Sequence, residues 1–125
     1  MEQIMQSTNI KLCVNVENTG CNFSGAESQA FELIKKKIPS GGIAHAVFDC
    51  IADTFSKMLK NASVNTGIND LIIFGGVMQN EYIKTQIMLN LNDKNIIFAK
   101  RGFSCDNAAG LAWFAMRNSE SGIRN

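Results

Sequence analysis

Leu71-Ile72-Ile73-Phe74, four apolar residues closed by Gly75-Gly76, limits what this chain can fold into more than any other segment. A strand buried on one face alternates apolar with polar residues. A short unbroken apolar run is the pattern of a strand covered on both faces, as in a parallel sheet. Parallel strands need helical crossovers, and helical periodicity flanks this run on both sides. Upstream, Ile43, Val47, Cys50, Ile51, Phe55 and Leu59 recur at three- and four-residue steps, which predicts an amphipathic helix over 43–62. Downstream, a helix from about Gln79 turns Ile83, Ile87 and Leu91 inward, and Asn95 to Ala99 forms a further strand. The expected fold class is α/β, a sheet flanked by helices.

The first third of the chain adds a second pattern. Ile10, Leu12, Val14 and Val16 alternate with Lys11, Cys13, Asn15 and Glu17, which predicts a half-buried strand in the same sheet as the other two. Asn18-Thr19-Gly20 is a turn into a short strand around Cys21 to Phe23. Ser24 followed by Glu27 fits a capping box, opening a helix whose apolar face is Ala30, Phe31, Ile34 and Ile38. Lys35, Lys36 and Lys37 form its solvated last turn, complementing the helix dipole. Pro39-Ser40-Gly41-Gly42 breaks the chain, with Ser40 as the next cap, and residues 61–69 make a polar loop. A last helix runs from about Asp106 to Met116, giving the order β-β-α-α-β-α-β-α.

Composition narrows function. The chain has 125 residues, 12 basic and 11 acidic, for a net charge of +1. That length holds one domain, and the near-neutral balance gives no electrostatic footprint for nucleic acid without a local patch or a partner. No apolar run is long enough to span a bilayer, and residues 1–10 lack a signal-peptide pattern, so a cytoplasmic protein is expected. Cys13, Cys21, Cys50 and Cys105 include no C-x-x-C pair and read as thiols, mainly core filling, with no structural zinc site. His45 is the only histidine, so no site within this chain can use two. It falls off the apolar stripe, as do Asp49 and Asp53, which one helical turn makes a solvated face or a metal pair.

Chemistry points to two places where a strand gives way to a helix, the edge at which open α/β sheets bind ligands. In Gly75-Gly76-Val77-Met78-Gln79-Asn80, two glycines permit close approach of a ligand, and helix-start amides favour anions. The alternative is a tight turn needing unusual backbone angles. In Ser104-Cys105-Asp106-Asn107-Ala108-Ala109-Gly110, Asp106 either caps the last helix or offers a carboxylate to a metal beside phosphates. Cys105 has no nearby histidine to serve it as a base.

Taken in order, these segments resemble the C-terminal lobe of the TsaD-like proteins of tRNA threonylcarbamoyladenosine synthesis, also known as O-sialoglycoprotein endopeptidases or glycoproteases. The resemblance rests on Leu71 to Asn80, with its Gly-Gly-Val-x-x-Asn turn, and on Phe103 to Gly110, with its Asp-Asn-x-Ala segment. Asn22-Phe23-Ser24-Gly25 is similar to the family's Phe-Ser-Gly segment, and the whole covers roughly residues 10–116. Two departures mark a divergent paralogue: Glu27-Ser28 stands where the family has Lys-Thr, and Cys105 where it has Thr.

The resemblance implies one lobe of the actin, sugar-kinase and heat-shock ATPase fold, spanning residues 1–125, with its N-terminal lobe outside this sequence. It implies nucleotide or substrate contacts at Gly75, Gly76 and Asn80, a metal ligand at Asp106, and no assignable catalytic residue. The implied cofactors are a divalent metal, iron or zinc, and ATP or an adenylate, both held only by the complete two-lobed protein. Transfer of a threonylcarbamoyl group to tRNA adenosine is the implied activity, with this chain alone inactive. Partners would be the N-terminal lobe, a second copy or a family subunit, with tRNA as substrate and no membrane. The competing expectation is a non-catalytic scaffold lobe. The metallopeptidase label fits poorly, since there is no H-E-x-x-H motif.

Overall fold

The computed structural model describes residues 10–100, 102 and 112–117. In chain order it holds a hairpin of β1 (Val16–Glu17) and β2 (Gly20–Cys21), then helices α1 (Ser24–Lys35) and α2 (Ser40–Thr66). Strand β3 (Asp70–Ile73), helix α3 (Glu81–Asn90) and strand β4 (Asn95–Phe98) follow, with a helical segment over 112–117. The domain is α/β, in the order the sequence predicts.

The β3 and β4 strands pair in parallel, from Asp70 opposite Asn95 to Ile73 opposite Phe98, with α3 as the crossover. One face of this sheet meets α2 and α3. Ile73, Met78, Ile83, Ile87 and Leu91 are buried there with Ala52 of α2, and Leu71, Ile96 and Phe98 pack against them. Ala52 has no bulk to hold α3 away from α2. Two buried hydroxyls of α2 bond to their own helix, Thr54 donating to the Cys50 carbonyl at 2.6 Å and Ser56 to that of Ala52 at 2.7 Å, while the third, Ser63, donates to the Asn69 side chain at 3.0 Å.

A second cluster sits on the other side of α2, where Leu12, Ala26, Ala46 and Cys50 are buried with Ile10, Val14 and Phe23 against them. This corrects the expectation of one shared sheet. The 10–16 stretch alternates because it lays one side on the helices; only Val16–Glu17 forms a ladder, antiparallel to Gly20–Cys21. Alternation reports one-sided burial and is silent about the pairing partner. Asn18, at φ 55°, makes the expected turn. It ties the hairpin to α2, accepting at its carbonyl from Asn61 at 2.6 Å and at its side chain from Asn65 at 2.5 Å.

Other local expectations need revision. Ser24 and Ser40 are the first residues of their helices, and neither side chain caps. The Asn22 side chain instead accepts from the Ser24 amide at 2.9 Å. Helix α1 buries Ala26, half-buries Ala30 and Leu33, and exposes Phe31 and Ile34. Ala30 of the predicted face does turn inward, but beside Ala26 and Leu33 and not beside Phe31 and Ile34, because small residues let α1 sit close to α2. The polar stretch 61–66 is helical, and Gly67, at φ 72°, ends α2 with its amide on the Ser63 carbonyl at 2.8 Å. Finally, among the described residues β3 is covered on one face only: Ile72 is 70% exposed, and Phe74, just past the end of the strand, 73%. Cys13, Cys21 and Cys50 are free thiols as expected, and burial pushes the Cys50 thiol pKa up.

Candidate functional site

The site begins where β3 ends. Gly75 adopts φ +124°, a backbone state that side-chain-bearing residues rarely reach. Gly76 is in the ordinary right-handed helical region, φ −59°. Only Gly75 is therefore demanded by the turn, although open space surrounds the position a Cβ would take there. Val77–Gln79 then form one 3-10 turn, with the Met78 amide on the Gly75 carbonyl and the Gln79 amide on that of Gly76, both at 3.1 Å. Met78 is buried in the core and pins this turn.

Asn80 follows as the N-cap of α3, its side-chain oxygen accepting from the Ile83 amide at 3.1 Å. Capping engages the side-chain oxygen, and the NH2 group of the same amide is a donor that the cap does not use. The parallel register brings the end of β4 beside this turn. Ala99 donates its amide to the Ile73 carbonyl at 2.9 Å, and the Gln79 side chain reaches the Ala99 carbonyl at 3.5 Å. Gly75, Gly76, Asn80 and the start of the segment leading to Asp106 thus share one sheet edge. Asp106 itself lies outside the described residues.

Next to the turn, a nearly all-apolar pocket of about 490 Å³ opens between α1, α2 and Val77. Phe23 and Ala26 line it from one motif and Val77 from the other; Glu27 is the one charged residue in its wall. The sequence alone had no means of joining Phe23 to Val77. Among the described residues no three His, Cys, Asp or Glu side chains come together as a metal site, and no helix is long and apolar enough to cross a membrane.

A polar cluster on the α2–α3 surface was likewise invisible in sequence. Tyr82 donates to Asp49 Oδ1 at 2.5 Å, and His45 Nδ1 lies 3.0 Å from Asp49 Oδ2. His45 is exposed, as expected, while Asp49 is a hydrogen-bonded hub and not a freely solvated carboxylate. The bond to Asp49 holds the Tyr82 phenol protonated, its pKa pushed up from 10.0 to about 12. A raised pKa means that the bond's stabilisation is complete below pH 10 and disappears as pH rises through 12. Tyr82→Phe should cost about 0.5–1.5 kcal/mol at neutral pH. The gap from wild type should close by pH 12, as urea unfolding at both values would show.

Comparisons with known proteins agree with the motifs. The family described as carbamoyltransferase, Kae1-like domain, second subdomain, matches residues 1–113. The tRNA N6-adenosine threonylcarbamoyltransferase of Wolbachia pipientis wMel is 28% identical over 109 residues, covering 78% of this chain and 32% of the relative. That of Thermus thermophilus is 27% identical over 102 residues, covering 82% and 31%. The chain therefore spans about a third of the length of these curated relatives.

Proposed function

Because this chain belongs to the Kae1-like carbamoyltransferase domain family, as its second subdomain, we propose that it forms the nucleotide-binding wall of a transfer site completed by a second lobe. One observation carries the reading: two motifs far apart in sequence, at Phe23 and at Val77, line the same apolar pocket beside the Gly75–Asn80 turn. An apolar slot beside Phe23 suits a flat base, and the open space at Gly75 suits whatever the base carries. Glu27 in the wall repels a phosphate and can accept from an exocyclic amine, which favours the base over the phosphates as the occupant of the pocket.

In this reading the fold is one lobe of the actin, sugar-kinase and heat-shock ATPase type. The reaction is transfer of a carbamoyl-type group, with tRNA adenosine as acceptor as in the relatives' names. Asp106 is the proposed metal ligand of this chain, its companions coming from the second lobe. The described residues bind and orient: Met78 seats the turn, Asn80 presents its amide and the pocket holds the base.

Val77→Trp, which fills the pocket mouth from an exposed position, should weaken adenine-nucleotide binding by the two-lobed protein without loss of stability. Isothermal titration with an adenine nucleotide, paired with urea unfolding, checks this; unchanged affinity would remove the base from the pocket. The 125-residue chain alone should show no ATPase, transferase or peptidase turnover, since half a cleft leaves developing charge in water. Turnover by purified chain that Asp106→Ala abolishes would overturn that expectation.

A further inference from the structure

Helix α3 begins at the Asn80 cap, and polar contacts tie it to α2 at two places. Near its end, the Asn90 side chain donates to Asp53 at 3.3 Å and to Ser56 at 3.2 Å. At its start, Tyr82 donates to Asp49 Oδ1 at 2.5 Å. Asn80 caps that first turn, so its amide is no steadier than the turn itself. Within 80–83, and among the described residues, Tyr82 makes the one side-chain hydrogen bond that leaves the helix. Burial of Ile83 seats the turn. A second anchor one residue away, about 100° round the helix, stops it rolling.

Counting protons shows what closes this anchor. His45 Nδ1 lies 3.0 Å from Asp49 Oδ2, and Nε2 lies 3.3 Å from the Tyr82 oxygen. A carboxylate only accepts, so Nδ1 must carry a proton. The Tyr82 proton is committed to Asp49, so the second contact needs a proton on Nε2. Only the imidazolium has both. Neutral His45 therefore satisfies two sides of this three-sided ring, and protonated His45 all three.

We propose that Tyr82 is a positioning residue for Asn80, and that protonation of His45 tightens its hold on the first turn of α3. The consequence for nucleotide rests on the role given to Asn80 above. Histidine is the side chain that ordinarily changes charge between about pH 5 and 8. The other charged groups on the surrounding elements, among the described residues, are Asp53 on α2, Lys11 across the small pocket that Asp49 and Asp53 line, and the Glu81–Lys84 pair on α3. None is of a type that titrates in that range. The sign follows. Acid closes the ring, so the fraction of molecules with Asn80 in place is highest at the low end of the range.

His45 is the only histidine, so its ring signals in nuclear magnetic resonance spectra of the 125-residue chain report its titration directly. The Asn80 NH2 and Ile83 amide signals should shift with the same midpoint, and should cease to do so in Tyr82→Phe. That variant keeps a ring beside His45 and Phe48 and loses only the hydroxyl. His45→Gln, at an exposed position, should likewise abolish the shifts, and it decides the matter if Tyr82→Phe does not fold. In the two-lobed protein, adenosine has no phosphate to titrate. It should bind roughly threefold tighter at about pH 5.5 than at about pH 8, and equally at both in His45→Gln. Asn80 and Ile83 signals that ignore the His45 midpoint would overturn the proposal, as would adenosine binding of equal affinity at both pH values. Shifts that follow His45 without any adenosine binding would remove the nucleotide reading and leave the Tyr82 anchor in place.

Discussion

Ile87→Ala should lower the stability of the chain by about 2–5 kcal/mol, a large share of what a domain of this size possesses. Ile87 is fully buried, on the line where α3 meets both α2 and the inner face of the sheet. Its neighbours cannot collapse into the space. Ile83 and the C-cap residue Leu91 are fixed by the same helix, Ile73 is held by the strand ladder, and the Ala52 methyl is too short to reach into the space. Leu89, two residues on, is largely exposed, and Leu89→Ala should change stability by no more than about 0.5 kcal/mol, since Ala is also a good helix former. Urea-unfolding midpoints of the two variants decide the matter; equal shifts would mean that α3 is not seated as described. The consequence reaches the site, because α3 begins at Asn80 and its seating orients that cap.

How far the sequence carries this fold depends on which physical effect each residue reports. Ile83 and Ile87 repeat at a helical step and have only one apolar stripe to choose from, so their burial is legible. Phe31 and Ile34 repeat as well, but Ala30 of the same predicted face turns inward with Ala26 and Leu33 instead, and close packing against α2 decides between them. Ile72 and Phe74 read as doubly buried because a short apolar run fixes strand character without fixing how many layers the described chain supplies. Ser24 fails as a cap although the Ser-x-x-Glu pattern is present, since α1 begins one residue earlier than the pattern requires: Phe23 holds the cap position and its carbonyl accepts from the Glu27 amide at 2.9 Å.

The candidate site divides along the same line. Gly75 and Asn80 are legible because each answers a local demand, one for positive φ and one for a cap. The Phe23–Val77 convergence and the Tyr82–Asp49 bond are not, because they join residues 54 and 33 positions apart through the packing of α2. Local patterns carry no information about such partners.

Asn80 can be tested so that its two roles separate. The structure shows its oxygen engaged as a helix cap, while the proposed function assigns its NH2 group to a nucleotide. Asn80→Ala removes both and should cost about 1 kcal/mol of stability together with roughly tenfold in nucleotide affinity. Asn80→Ser keeps a capping oxygen and has no amide, so stability should stay near wild type while affinity falls as in the alanine variant. Asp106→Ala, in the same two-lobed protein, should instead lower bound metal. Isothermal titration of adenine nucleotide, urea unfolding and metal content by mass spectrometry give the three readings. If the serine variant binds nucleotide as the wild type does, Asn80 is a cap alone. Gly75 is then a turn residue alone as well, since nothing else in the turn would still point to a ligand. Metal content unchanged by Asp106→Ala would take the metal ligand out of this chain by the same logic.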